Sequence, residues 1–273
     1  MEPSAHPDKA SDGNAVSVVV PIHNEAANIE TLYGEIRSVL EPRCGFEVLV
    51  VDDGSDDDSD SVLSTLAGTE PRMRRLGHPV RRGQSAALRT GVAAARHERI
   101  VTLDGDGQND PRDIPLLLET LDRSPLPARR LLVIGHRLRR EDSLIKRLAS
   151  RVANAVRQRM LRDQTPDTGC GLKVFARSTF LSLPYFDHMH RFLPALIRRA
   201  GGEVVSVPVR HRPRKAGRSK YGTLDRLWAG IVDLLGVIWL IRRCPADYSL
   251  LPPDAGPAEA ARPATPTTPP ERR

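Results

Sequence analysis

The chain has 273 residues, 40% hydrophobic and 4% aromatic, enough for one sizeable core with a small appendage. A formal charge of +7 and a pI near 9.8 point to anionic partners such as nucleotide, phospholipid or phosphate; without zinc-finger spacing, an RNA-binding aromatic signature or many rings to stack bases, nucleic acid is not expected. Cys44, Cys170 and Cys244 are odd in number and form no C-x-x-C, which argues against a disulfide framework or zinc site and suits a reducing cytoplasm.

Residues 1–15 are polar, lack the apolar core of a signal peptide and read as a disordered leader. Val16 to Ile22 is a β-branched strand with a proline near its tip, followed at His23-Asn24-Glu25 by a helix whose Ile29, Leu32, Ile36, Val39 and Leu40 recur at helical spacing. A second strand, Phe46 to Val51, ends in Asp52-Asp53-Gly54-Ser55 and leads into a helix through Val62, Leu63 and Leu66. By itself that acidic run is equally a solvated loop with capping Asp and Ser. A weak strand at Met73 to Leu76 precedes Arg81-Arg82-Gly83-Gln84-Ser85, a basic helix start suited to phosphate, and a small-residue helix from Ala86 to Ala95.

Ile100 to Leu103 is the central strand, and its continuation is Asp104-Gly105-Asp106-Gly107-Gln108-Asn109-Asp110-Pro111. Two Asp one residue apart, with Gly beside each, turn their oxygens toward one point where a hard divalent cation can gather them. Such a Gly/Asp/Asn turn needs no function when it stands alone, so its context decides. A helix-loop-helix calcium site fits poorly, because Asn109 and Pro115 fall where that loop needs Gly and Glu. A helix from Ile114 to Leu121 and a strand from Leu131 to Ile134, ending Gly135-His136-Arg137, complete an alternation that predicts a mostly parallel α/β sheet with functional residues at the strands' carboxyl ends. No G-x-G-x-x-G follows the first strand, against an ordinary dinucleotide fold.

Leu138 to Arg162 reads as a basic amphipathic helix, Asp167 to Phe175 as a turn into a strand, and Arg191-Phe192-Leu193 as a helix start. Val204 to Val209 is again a strand, feeding a basic, Gly-punctuated loop through Arg214, Ser219 and Lys220. Trp228 to Ile241 is the most apolar stretch; it is shorter than the roughly 20 residues a membrane crossing needs, and Asp233 interrupts it. We expect units at 1–15 (leader), 16–225 (α/β domain), 226–245 (apolar interfacial helix) and 246–273 (disordered Pro/Ala/Thr-rich tail), with 226–243 open to a membrane-protein partner or a second copy.

Together, Pro21-Ile22-His23-Asn24-Glu25, Val51-Asp52-Asp53-Gly54-Ser55, the Asp104 to Pro111 turn and Gly217-Arg218-Ser219-Lys220-Tyr221 resemble the family 2 glycosyltransferases of GT-A fold. The likeness spans roughly Ser17 to Ile241 and is nearest to the dolichyl-phosphate mannosyltransferase and polyprenyl-phosphate glycosyltransferase branch. It implies an inverting transfer from a nucleoside-diphosphate sugar (GDP-mannose or a UDP-sugar) to a polyprenyl phosphate, with Mg²⁺ or Mn²⁺, at the anionic inner face of the cell membrane. By the same resemblance Pro21, His23, Glu25, Asp52, Asp53, Gly83, Asp104, Arg214 and Lys220 bind the nucleotide sugar. Asp104, Asp106 and Gln108 surround the metal, and Arg137, Lys146, Arg147, Ser150 and Ser219 meet the acceptor phosphate. Asp106, Arg137 and Asp167 are the implied catalytic residues, Asp167 being the base if the acceptor is a sugar hydroxyl. Tyr is frequent where His23 stands, and Lys is frequent in the segment where Gln84 follows Gly83. A soluble or lipid-linked hydroxyl acceptor, or a degenerate nucleotide-binding membrane scaffold, are the alternatives.

Overall fold

The structure is a computed structural model; it describes residues 14–137, 159–161, 163, 165–213 and 223–243, with side chains from 230 onward in the last stretch. All but residues 159–161 of the helix expected across 138–162, the tail expected to be disordered, and Lys146, Arg147, Ser150, Arg214, Ser219 and Lys220 therefore lie outside the described residues, as does most of the leader.

The chain order is β1 (Val16–Ile22), α1 (Ala26–Leu40), β2 (Phe46–Asp53), α2 (Ser59–Thr69), β3 (Met73–His78), α3 (Gln84–Ala94), β4 (Arg99–Thr102), α4 (Ile114–Asp122), β5 (Leu131–Arg137), β6 (Lys173–Ala176), α5 (Arg177–Ser182), α6 (Leu193–Arg199), β7 (Glu203–Val209) and α7 (Thr223–Arg243). One sheet of seven strands runs β3-β2-β1-β4-β6-β5-β7. All pairings are parallel except those of β6, which runs antiparallel to β4 and β5. The carboxyl ends of β1, β2, β4, β5 and β7 thus share one edge of the sheet, and the reversed β6 brings its first residue, Lys173, to that edge opposite Thr102 and Ile134.

Every residue of β1 and β2 is buried, as expected of strands covered on both faces. Alternate side chains go to opposite sides: Val16, Val18, Val20 and Ile22 join Ile29, Leu32, Ile36 and Leu40 of α1, whereas Val19, Leu49 and Val51 join Ala87, Leu88 and Val92 of α3. Truncating a fully buried member such as Ile36 to Ala would cost about 2–5 kcal/mol.

β2 runs two residues further than its apolar run predicts, because Asp52 and Asp53 pair with Gly77 and His78 of β3. The six-residue α5 was not foreseen; it has too few positions to display a helical period. α7 begins at Thr223, so the boundary expected at 225/226 falls inside a helix. Val237 of α7 is buried, and Leu234, Ile238 and Ile241 pack with it against Phe180, Met189 and Leu193. Val232, Leu235 and Trp239 on the other side are 52%, 57% and 61% exposed. No helix among the described residues is long and apolar enough to cross a membrane.

Candidate active site

At the end of β1 the backbone turns through Asn24 at φ 60°. Asn24 N–H donates to Ser55 Oγ (2.9 Å), and its side chain exchanges hydrogen bonds with Asp56, knitting the first strand tip to the second. Glu25 is buried and accepts from Asn28 Nδ2 at 2.7 Å. Asp52 Oδ1 accepts from the amide and hydroxyl of Ser55 at 3.0 and 2.5 Å. Asp53 accepts from Arg82 N–H (2.8 Å) and Gly83 N–H (2.7 Å), with His78 Nδ1 2.8 Å away. Burial opposes the charge of Asp53, but these donors outweigh it and lower its carboxyl below the ordinary range. Both oxygens of Asp53 thus clasp the start of α3, where Gly83 holds φ 93°.

The turn after β4 is built differently. Asp104 N–H donates to Asn109 Oδ1 (3.2 Å) and Gln108 N–H to Asp106 Oδ1 (3.1 Å), so the turn folds over its own acids. Gly105 crosses the tip of β1 so closely that a Cβ would stand 2.5 Å from Ile22 Cγ2. A Cβ on Gly171 would stand 2.3 Å from Asp104 Cγ and Oδ2, so the carboxylate lies directly on the chain before β6. Gln84 Nε2 donates to Asp104 Oδ1 at 2.8 Å. Burial, then the charge of Asp106, raises the Asp104 carboxyl above the ordinary range, while Lys173 and Arg137 pull it back. Further along, buried Asp110 binds Arg112 and Arg212 at 2.6 and 2.7 Å, and Arg212 N–H donates to Gln108 O (3.0 Å). The segment leading to residues 214–222 is thereby fastened to the acidic turn.

Arg137, at the end of β5, grips Asp167 with two hydrogen bonds of 2.6 and 2.8 Å, and its backbone N–H adds a third at 3.3 Å. Burial works against the guanidinium, yet Asp167 more than compensates and raises Arg137 above its ordinary value. Lys173 is buried and donates from Nζ to Cys170 O. Burial lowers its ammonium below the ordinary lysine value, opposed by the charges of Asp104 and Asp167. Gln84, Asp104, Gly171, Lys173 and His190 line one small cavity with apolar Leu88, Phe175 and Leu193. Burial, then Lys173, pushes His190 well below its ordinary value, so it is neutral, with Nδ1 2.8 Å from Ser85 Oγ.

Asp104, Asp106 and Gln108 suit a hard divalent cation, because two carboxylates and an amide offer oxygen donors and one of those carboxyls is left repelled by the other. Among the described residues no three His, Cys, Asp or Glu side chains converge on a metal position.

Asp53, Asp104, Asp106, Arg137 and Asp167 thus gather on one sheet edge, with Pro21, His23, Glu25 and Asp52 at the neighbouring tips. His23 Nδ1 is buried without a hydrogen-bond partner. Sequence reasoning passed over Gln84 as a positive contributor and missed Gly171, Lys173 and His190. A lysine between Leu172 and Val174 in an otherwise apolar strand was the available signal for Lys173; nothing in the sequence marks Gly171 or His190.

The family described as Glycosyl transferase family 2 matches residues 17–182. Dodecaprenyl-phosphate galacturonate synthase of Rhizobium johnstonii is 34% identical over 232 residues, covering 83% of this chain and 67% of that protein. Undecaprenyl-phosphate 4-deoxy-4-formamido-L-arabinose transferase of Sodalis glossinidius is 33% identical over 213 residues, covering 77% and 63%. The chain spans about two thirds of the length of these curated relatives. Among solved structures, glucosyl-3-phosphoglycerate synthase from Mycobacterium tuberculosis with Mg²⁺ and UDP superimposes with a TM-score of 0.62 at 21% identity, over 84% of this chain and 79% of that one. The same synthase with Mn²⁺, UDP-glucose and glycerol 3-phosphate gives 0.60 at 22%, over 84% and 80%. These likenesses show the fold, which is GT-A.

Proposed function

The chain belongs to glycosyl transferase family 2, and from that premise we propose that it moves a sugar from a nucleoside diphosphate to a polyprenyl phosphate at the inner face of a membrane. The observation that carries this reading is the repelled Asp104–Asp106 pair on the sheet edge, with the Asp167-bound Arg137 close enough to stabilise the Asp104 charge. A Mg²⁺ or Mn²⁺ ion held by Asp104, Asp106 and Gln108 would supply positive charge for the departing diphosphate. The tips of β1 and β2, with Pro21, His23, Glu25 and Asp52, take the nucleoside; Asp53, expected among them, supports that wall by holding the start of α3, and the Gly83 segment shapes the pocket beside the sugar. Arg137 is the fixed cation of the site: its bidentate bond to Asp167 sets the guanidinium plane and leaves its remaining N–H donors for an anion.

A phosphate monoester, with a second pKa of about 6, is already a nucleophile at neutral pH and needs little base catalysis. A sugar hydroxyl needs a base, and the residue available for that role, Asp167, has both oxygens committed to Arg137. This favours the phosphate acceptor, with Asp167 acting as the positioning residue of Arg137. Lys146, Arg147, Ser150, Arg214, Ser219 and Lys220 belong to the proposal as further phosphate contacts. So do the units 16–225 and 226–245. The exposed face of α7, with Arg242 and Arg243 exposed at its end, suits the headgroup boundary of an anionic bilayer.

The test is direct. Incubated with labelled GDP- and UDP-sugars, Mn²⁺ or Mg²⁺, and polyprenyl phosphate in anionic vesicles, the protein is expected to carry label from one donor into the lipid extract. Label transferred from a donor only to water-soluble acceptors would overturn the acceptor assignment.

A further inference from the structure

Asp233 is the one ionisable side chain between Trp228 and Ile241, and an acid inside such a stretch is costly unless paired. Its partner is His188, whose Nδ1 lies 2.8 Å from Asp233 Oδ2, both side chains being largely covered. His188 sits at φ 62°, one of two non-glycine residues with positive φ among those described; the other is Asn24, at the nucleoside tip. A left-handed conformation away from glycine is unfavourable and persists only where the surroundings hold it. Here His188 N–H donates to Asp187 Oδ1 (2.8 Å), and that oxygen would lie 3.2 Å from a Cβ on Gly83.

The same loop is stitched at its other end to the acidic turn. Met189 is fully buried in the cluster that includes Val237 of α7. The next residue, His190, meets Ser85 Oγ through both its Nδ1 (2.8 Å) and its backbone N–H (3.3 Å). Ser85 follows Gln84, whose side chain holds Asp104. A continuous path therefore runs from Asp233 through His188, His190, Ser85 and Gln84 to Asp104.

We propose that the loop at 183–192 is a positioning strap, in which Asp233 and His188 tie the seating of α7 to the placement of Gln84 and Asp104, so that a helix settled on a bilayer sharpens the nucleotide site. The proposal rests on reading the acidic turn as that site. Asp233 and His188 touch no substrate; they act through the loop.

The experiment uses the full chain and titrates UDP and GDP with Mn²⁺, with and without acceptor-free anionic phospholipid vesicles. In the unsubstituted protein, vesicles are expected to tighten nucleotide binding by roughly fivefold, the low end of ordinary coupling between sites. Asp233→Leu and His188→Asn, each still sedimenting with vesicles and melting as a folded protein, lose that tightening. With lipid present their KM for the nucleotide sugar rises by roughly the same factor while kcat changes less. The double variant is no worse than either single one, and the exchanged pair His188→Asp with Asp233→His regains part of the effect. Tightening that survives in both single variants, or losses that add, would overturn the strap. If nucleotide binds with metal but vesicles never change its affinity, the strap falls while the site stands. If no nucleoside diphosphate binds at all, both fall.

Discussion

β2 ends in Asp52-Asp53 before Gly54, and beyond β4 the chain runs Asp104-Gly105-Asp106, so acidic pairs stand on the same sheet edge to either side of β1. Their surroundings differ. Asp53 is met by two backbone N–H groups and a histidine, and its carboxyl is lowered; Asp104 is met by one side-chain amide and a second acid, and its carboxyl is raised. The first acid spends its charge on the protein's own backbone. The second has no such backbone donors, which suits it to the external cation proposed above. What separates a structural acid from a ligand is the supply of donors around it, which residue identity does not reveal.

Four substitutions sharpen or break that contrast. Asp106→Ala should reduce transfer by about a thousandfold or more, in keeping with losing an electrostatic element of the transition state, while the melting temperature and circular dichroism stay near those of the parent; normal turnover would refute the assignment. Gly171→Ala drives a methyl into the Asp104 carboxylate, and a disturbed ligand setting of this kind costs about 10–100-fold in metal affinity. That is measured as a rise in the Mn²⁺ needed for half-maximal activity, and an unchanged requirement would mean the carboxylate does not hold metal.

Asp53→Asn should instead act on stability, by about 1–3 kcal/mol for lost acceptors of buried donors. Because the folded carboxyl of Asp53 lies below its ordinary value, its contribution is fully present above about pH 4 and fades as pH falls through the lowered folded value. The variant's stability should lose that part of the acid slope; parallel acid curves would break the comparison. Asp104→Asn has the opposite and smallest effect on stability. A raised carboxyl binds protons more tightly folded than unfolded, so stability is lost as pH rises through the raised value. The metal-free variant should therefore melt higher than the parent at neutral pH, read by calorimetry in EDTA, although it no longer turns over. A lower melting point would mean that Asp104 is structurally satisfied.

Much of the fold was legible because buried parallel strands write themselves as unbroken β-branched runs: β1 was placed to the residue, and β4, β5 and β7 to within three at each end. The sense of β6 was not legible, since a four-residue strand carries no mark of direction. The acidic turn after β4 is singled out by its place in the motif order, and Arg137 by its position in the family resemblance. Their partners were hidden because they depend on approach between segments distant in sequence, as with Gly171 against Asp104 or His190 against Ser85. Asp167 and Arg137, both expected in the site, are each other's partner, which is why the proposal gives the acid a supporting role beside Arg137.

The central claim is that the acidic turn after β4 binds a nucleoside diphosphate only together with a divalent cation. Calorimetric titration of UDP and GDP into the protein, first with Mn²⁺ and then with EDTA, tests it most directly, with Asp106→Ala as the comparison. The account predicts binding by the parent protein in Mn²⁺ alone and none in EDTA or in Asp106→Ala. Equal affinity in all three conditions would contradict it.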